Sequence, residues 1–376
     1  MFDNFSTSKC YPTVTIAIPT YNESLHVERI IRDFLATEYP HLIEVLIADG
    51  GSNDGTQEIV RKLSLEDSRV QLLDNPFRLQ AAGLNVALEN ATGEVFLRAD
   101  GHSEYASDYV ERCVEELLSS GAANVGGAQR FVSKTPFQSG VALSTKSLLG
   151  SGGAKYRDPQ YDGYADTAYL GCFWRELLLK YSGYCVEATP NEDSELNLRL
   201  VAAFDVTQVT NQDAELNQRL QFQNAKAIYV SSKIRTWYYP RNSWRSLFIQ
   251  YFKYGRGRFL TTTKHANSKL RGKLPFLVIS LGIVALLFDI LFPQLGLPIE
   301  QLIPCAFLLP FLESFRVTLK YNNTFKSEFW RGEDKIPSFL SRWFFCGVAL
   351  CTMPIAHFSG FAYQLFRHKV LRIKNW

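Results

Sequence analysis

"EVLIADGGSNDGT", Glu44–Thr56, begins as a strand and ends as a ligand-sized turn. The run "IEVLIA" (Ile43–Ala48) is nearly continuous in apolar residues and short, which fits a strand buried on both faces. Asp49 closes it, and Gly50, Gly51 and Gly55 come next, residues that let a backbone come close to a ligand. Outward from this stretch the pattern repeats. "VTIAI" (Val14–Ile18) predicts a strand ended by Pro19, and Val27, Ile30, Ile31 and Phe34 line one face of a helix expected over about Glu23–Leu35. A helix to about Leu63, a strand at "RVQLLD", a helix over about Leu79–Glu89 and a strand at "EVFLRA" (Glu94–Ala99) complete the series. Strand and helix in alternation, with strands this apolar, predict an α/β domain: a mostly parallel sheet with helices on both faces. Ligands then bind beyond the carboxyl ends of the strands, which puts "PTYNE", "ADGGSNDGT" and "RADGH" on one rim.

Composition narrows the rest. Of 376 residues, 46% are hydrophobic and 20% charged, as in a folded chain. A net charge of +3 gives no reason to expect nucleic acid as a partner. The seven cysteines show no CxxC spacing, so reduced, buried thiols are expected rather than disulfides. "MFDNFSTSKCYP" lacks the basic and apolar regions of a signal peptide. The chain has neither GxGxxG, which disfavours nicotinamide binding, nor GxxxxGK[ST].

The C-terminal third changes character. Three apolar stretches, about 275–292, 299–319 and 339–361, are candidate membrane spans, with buried helices of a soluble domain as the alternative. The third, broken by Pro354 and His357, is expected to be re-entrant or interfacial. Residues 241–272 are basic, aromatic and amphipathic, as an interfacial segment would be. The expected organisation is a catalytic domain over 1–240, this segment, and membrane helices over 273–376. Ser139–Asp166, rich in Gly, Ser and Tyr, reads as a mobile surface loop.

Singly, an acid after a strand is most often a turn residue. As an ordered set, "IAIPTYNE" (Ile16–Glu23), "EVLIADGGSNDGT", "GLNVAL" (Gly83–Leu88), "LRADGHSEY" (Leu97–Tyr105), "NEDSEL" or "NQDAEL", and "QYFKYG" (Gln250–Gly255) resemble the inverting family-2 glycosyltransferases of the GT-A fold. The likeness covers roughly residues 12–265 and is nearest to the membrane-attached branch that builds bacterial exopolysaccharide of the succinoglycan type on a lipid carrier.

The resemblance implies roles. Pro19, Tyr21 and Glu23 would flank the nucleotide, Asp49 would take the base or ribose, and Arg78 and Gly83 would lie near the base or diphosphate. Asp100 and His102 would hold Mg²⁺ or Mn²⁺, with a lean to manganese because imidazole suits it better. Gln250 and Arg256 would reach the donor, or else face lipid headgroups. The implied reaction moves a sugar from a nucleotide donor, a UDP-sugar above all, to a lipid-linked saccharide. The implied place is the inner membrane, with the catalytic domain in the cytoplasm. A processive polysaccharide synthase and a non-catalytic sugar-nucleotide sensor are the alternatives.

The acidic helix start occurs twice. Asn191, Asp193, Glu195, Leu196 and Leu200 recur 20 residues later as Asn211, Asp213, Glu215, Leu216 and Leu220. An inverting transfer needs one general base. Asp213 is favoured because an uninterrupted strand pattern comes after it, with Asp193 as the alternative.

Overall fold

The computed structural model describes residues 11–165, 168–180, 228–264, 273–292 and 302–373. They form two compact units. One runs to Gly127, resumes at Asp162 and ends at Thr236; the other takes Ala128–Tyr161 and the chain from Trp237 onward.

In the first unit, β1 (Val14–Thr20), β2 (Leu42–Asp49), β3 (Val70–Asp74) and β4 (Val95–Arg98) are parallel neighbours in the order β3-β2-β1-β4. The register pairs Ile16 with Val45 and with Leu97, so fully buried side chains meet across the strands. The helices are α1 (Val27–Leu35), α2 (Thr56–Glu66), α3 (Gln80–Asn90) and α4 (Tyr109–Ser120). Beyond β4 the sheet changes sense, and β5 (Ser103–Tyr105) is the last strand in its order. β8 (Tyr169–Trp174) is antiparallel to both β4 and β6 (Asn124–Phe131), and β7 (Gly163–Tyr164) is antiparallel to β9 (Ile228–Tyr238). The strand order reverses between β1 and β4, which opens a crevice at their carboxyl ends.

Helix α1 starts four residues later than its apolar spacing predicts. The backbone N–H of Glu23 donates to Thr56 Oγ1 at 2.9 Å and that of Ser24 to Asp54 Oδ2 at 3.0 Å. Those donors bind the "SNDGT" loop, so the segment remains a turn.

In the second unit the expected mobile loop is a correction. Ser139–Asp166 includes most of α5 (Pro136–Ser144), then α6 (Leu148–Ser151) and a 3₁₀ turn at Lys155–Arg157. Its small residues serve packing: a Cβ on Gly140 would lie 2.3 Å from the Phe345 backbone. A six-residue helix α7 (Arg175–Lys180) belongs to the first unit. The second holds α8 (Trp244–Lys264), α9 (Leu274–Leu291), α10 (Leu302–Lys320), α11 (Phe325–Glu328) and α12 (Phe339–Lys369). Helix α8 does not stand apart as an amphipathic surface segment. It packs on α12 through Gly255 and Gly360, whose added Cβ atoms would meet the carbonyls of His357 and Phe252 at 2.0 and 1.9 Å.

Among the described residues, α9 and α12 are long and apolar enough to cross a membrane. None of the residues of α9 is buried, so a face of Leu277, Leu281, Val284 and Phe288 needs a non-aqueous cover. Helix α12 corrects the re-entrant expectation. It continues through Pro354 for 31 residues, about 46 Å, beyond the roughly 30 Å of a bilayer core. Helix α10 carries Glu313 and Arg316, joined by two hydrogen bonds of 2.6 and 2.7 Å. Among the described residues, Cys113, Cys172 and Cys346 are buried free thiols and Cys351 is a half-buried one.

Candidate active site

The rim of the first unit is built around two strand-end carboxylates. Asp49 ends β2 and is 1% exposed. Its Oδ1 accepts from the backbone N–H of Gly51 (3.0 Å) and Ser52 (2.8 Å) and from Gln57 Nε2 (2.7 Å). Its Oδ2 accepts from the hydroxyls of Ser52 (2.5 Å) and Thr20 (3.1 Å). Burial raises the Asp49 pKa, but these donors, Ser52 first, outweigh it and hold the carboxyl below its ordinary value. Asp49 is therefore ionised and shapes the glycine turn. A ligand that touched it would replace one of these donors.

Over that turn lie Tyr21 and Arg78. The Arg78 guanidinium is 5.8 Å from the Tyr21 ring centroid and 3.4 Å from where a Gly51 Cβ would be. A Cβ on Gly50 would lie 3.3 Å from both Tyr21 and Arg78. Gly51, at φ 76°, and Arg78, at φ 55°, both have left-handed backbone. For arginine that conformation is uncommon and is a mark of functional sites. Gly83 sits below: its Cβ would meet Asn75 Nδ2 at 2.9 Å and Pro19 Cβ at 3.2 Å, so a larger residue there would have to displace both.

Asp100 comes just after β4 and is 8% exposed. Its Oδ1 accepts from Gln80 Nε2 at 3.0 Å and from Arg98 Nη2 at 3.3 Å. Its backbone is clamped by Tyr105, whose hydroxyl accepts from Asp100 N–H (2.7 Å) and donates to Asp100 C=O (3.1 Å). Burial, and then the charge of Asp100, push the Tyr105 pKa up, so the phenol keeps its proton. His102 Nδ1 lies 3.4 Å from Glu23 Oε1, and a Cβ on Gly101 would touch Glu23 at 3.3 Å.

The structure thus brings Pro19, Tyr21, Asp49, Arg78 and Gly83 into one cluster and Glu23, Asp100 and His102 into another on the same rim. Gln250 and Arg256 belong to α8 in the second unit. Gln250 Nε2 donates to the hydroxyls of Tyr238 (3.1 Å) and Tyr254 (3.0 Å). Arg256 Nε donates to Gln364 Oε1 at 3.0 Å, and its guanidinium lies 5.2 Å from the Tyr363 ring. Asp193 and Asp213 lie outside the described residues.

Sequence reasoning passed over Arg98, Gln80, Gln57 and Tyr105. An arginine inside the apolar run "EVFLRA" was a usable signal, because a buried cation demands a partner. Gln80 and Tyr105 gave none.

The donor set can be tested against a divalent ion. Among the described residues no group of three or more His, Cys, Asp or Glu side chains forms a full cage. Arg98 and Gln80 hold Oδ1 of Asp100, and Oδ2 has no hydrogen-bond partner among the described residues. One carboxylate oxygen with an imidazole on the same rim suits an ion whose other positions are filled by phosphate oxygens and water.

Comparisons with known proteins agree with this architecture. The model of glycosyl transferase family 2 matches residues 15–174. The succinoglycan biosynthesis protein ExoA of Rhizobium meliloti is 38% identical over 275 residues, which is 72% of this chain and 77% of that protein. The dolichyl N-acetyl-α-D-glucosaminyl phosphate 3-β-D-2,3-diacetamido-2,3-dideoxy-β-D-glucuronosyltransferase of Methanococcus voltae is 24% identical, over 67% of this chain and 74% of that one. Among solved structures, a mannosyltransferase of Pyrobaculum calidifontis with GDP-mannose and Mn²⁺ superposes with a TM-score of 0.53 at 18% identity, covering 95% of this chain and 88% of that one. That likeness speaks for the fold.

Proposed function

Because the chain belongs to glycosyl transferase family 2, we propose that this glycosyltransferase moves a sugar, with inversion, from a nucleotide-diphosphate donor to a lipid-linked saccharide at the membrane. One observation carries the reading. Asp49 and Asp100 stand at the carboxyl ends of the two parallel strands that flank β1, in a chain that also bears α9, an apolar helix with no buried residue.

Tyr21 and Arg78 hold the base or ribose over the turn that Asp49 fixes, and Pro19 and Gly83 shape its floor. Arg98, Gln80 and Tyr105 orient Asp100. Glu23 lies against His102 Nδ1 and so favours the tautomer that keeps its lone pair on Nε2. A divalent ion held by Asp100 and His102, manganese in preference to magnesium, would neutralise the charge of the departing nucleoside diphosphate. Asp213, with Asp193 as the alternative, takes the proton from the acceptor hydroxyl. The similarity to a transferase named for a dolichyl-linked sugar phosphate supports a lipid-linked acceptor, and that to ExoA supports a part in exopolysaccharide synthesis. The donor is a UDP-sugar in this reading. GDP-mannose, bound by the Pyrobaculum enzyme, is the other donor to try. In this reading α9 and α12 both cross the inner membrane, and the basic residues on either side of them support a cytoplasmic catalytic domain.

The test is full-length protein in nanodiscs with Mn²⁺, a panel of UDP- and GDP-sugars, and extracted lipid-linked saccharides. Sugar on the lipid and one released nucleoside diphosphate per transfer is the expected result. Long polymer would point to a processive synthase, and donor binding without turnover to a sensor.

A further inference from the structure

Arg78 is exposed, and among the described residues its guanidinium makes no hydrogen bond and no ion pair. Its position by the Tyr21 ring and the Gly51 turn is therefore set by its backbone, which is left-handed at φ 55°. A residue other than glycine keeps that conformation only where the surroundings impose it.

Asn75 imposes it. This residue follows β3 directly and is 2% exposed. Its backbone N–H donates to the Asp49 carbonyl at 2.8 Å, which ties it to the end of β2. Its carbonyl accepts from the Arg78 N–H at 3.1 Å and closes a turn with Pro76 in the second position, where the fixed φ of proline suits a turn. Its side chain reaches past the turn: Nδ2 donates to the Leu79 carbonyl at 3.0 Å. Arg78 is thus gripped on both sides, through its own N–H and through the carbonyl of the next residue.

The amide is kept at a cost. Oδ1 of Asn75 is shut off from solvent and has no hydrogen-bond partner. Turning the amide over would set Oδ1 against the Leu79 carbonyl, oxygen against oxygen, and lose the bond. An unpaired buried acceptor is uncommon and calls for a reason. Space is reserved for the amide too, because a Cβ on Gly83 would lie 2.9 Å from Nδ2. Packing alone explains neither feature, since an apolar side chain would fill the space without an orphaned oxygen. We propose that Asn75 is a positioning residue for the sugar-nucleotide donor: it holds Arg78 in the left-handed conformation that lays the guanidinium over the Gly51 turn, an inference that rests on the reading above in which Tyr21 and Arg78 hold the nucleoside. Asn75 itself stays buried and acts through Arg78.

Full-length protein in nanodiscs with Mn²⁺ is titrated calorimetrically with UDP and, separately, with GDP. Against the nucleotide that binds, Arg78→Ala should raise Kd roughly tenfold or more, the loss of a charge-assisted contact, and Asn75→Ala should raise it by about as much. The variant carrying both changes decides. If Asn75 acts through Arg78, the double variant should bind within about twofold of Arg78→Ala alone, because coupled residues are not additive. Two full losses multiplied together, or no loss in Asn75→Ala, would overturn the inference. In turnover, Asn75→Ala should raise KM for the sugar nucleotide and leave KM for the lipid-linked acceptor unmoved. A residue needed for folding alone would lower the active fraction and move neither KM. Asn75→Asp has the same shape without the donor, so it should behave as Asn75→Ala does. Should neither variant fold, Asn75 serves the fold and the inference falls. An unchanged Kd in Arg78→Ala would sink the contact of Arg78 with the nucleoside and this inference with it, while transfer to lipid would still stand. Unmutated protein that binds neither nucleotide would sink the proposed function as well.

Discussion

The two units hold their positive charges differently. In the first, apart from Arg78 beside the Tyr21 ring, cations meet carboxylates: Arg98 with Asp100, Arg69 with Asp67, Lys233 with Glu116 and Arg235 with Asp108. In the second, alongside the pair Arg316–Glu313, they meet rings. Lys134 lies 4.7 Å from Tyr239, Arg342 4.4 Å from Phe325, Arg157 5.3 Å from Phe131 and Arg256 5.2 Å from Tyr363. A carboxylate neutralises its partner, whereas a ring leaves the charge in place. The first unit is thus locally balanced, and Asp100 keeps one carboxylate oxygen, Oδ2, without a hydrogen-bond partner among the described residues. The second keeps a positive field, which suits lipid headgroups and phosphate. The contrast can be broken from either side.

The largest effect belongs to Asp100. If the first unit handles its anionic substrate through a cation, Asp100→Ala and chelation should both take transfer down by roughly 10³-fold or more, because a bound metal is worth several kcal/mol in such reactions. Mn²⁺ should restore the chelated enzyme and leave Asp100→Ala inactive. Full turnover in excess EDTA would mean that positive side chains alone do the work, and the contrast between the units would fall.

The duplicated acid comes next. Losing a positioned base costs roughly 10²–10⁴-fold. Asp213→Asn should show that loss in kcat, and Asp193→Asn should remain near normal, with folding checked for each. The reverse pattern would transfer the role to Asp193. Two active variants would remove the pair from catalysis.

Asp49 offers a pH test of carboxylate balance. Its folded pKa lies below the ordinary value, so its stabilising contribution is present above the unfolded pKa, about 4, and is lost as pH falls through the folded pKa. Asp49→Asn should therefore destabilise the protein by roughly 1–3 kcal/mol at pH 7. The gap in Tm between variant and parent should close as pH falls below about 4. A gap that stays constant with pH would mean that the charge of Asp49 does nothing for the turn.

Much of the first unit was legible because its signals are local. The apolar runs of β1, β2 and β4 need only neighbouring residues to be read, and Asp49 and Asp100 are found where those runs stop. The illegible part depends on distant contacts. The start of α1 is set by Thr56 and Asp54, about 30 residues away. Gln80 meets Asp100 only because α3 returns to β4. The second unit was read poorly for the same reason. "GSGGAKYRDPQY" has the composition of a mobile loop, yet Gly150 is small because Ser144 lies against it, as Phe345 does against Gly140 just upstream. Pro354 suggested a break in α12, but a proline disrupts a helix only where the lost hydrogen bond and the ring clash cannot be absorbed.

The smallest effects separate the two kinds of pairing most directly. Asp67 and Arg69 are 27% and 35% exposed and joined by a 2.7 Å contact, so solvent discounts their attraction, and Asp67→Asn should cost about 1 kcal/mol or less. Lys134, exposed and 4.7 Å from the Tyr239 ring centroid, should lose about as little on change to Met. Their salt responses should differ. Two opposite charges attract through a field that mobile ions screen within about 3 Å at 1 M salt. The ring's quadrupole acts at contact distance, where few ions enter, and its field falls faster than that of a charge. Thermal unfolding of each variant at low salt, about 0.05 M NaCl, and at about 1 M reads this out. The Asp67→Asn deficit should shrink in high salt and the Lys134→Met deficit should persist. Deficits that shrink together would mean that Lys134 is held by distant carboxylates rather than by its ring, and the second unit would then balance its charges as the first does.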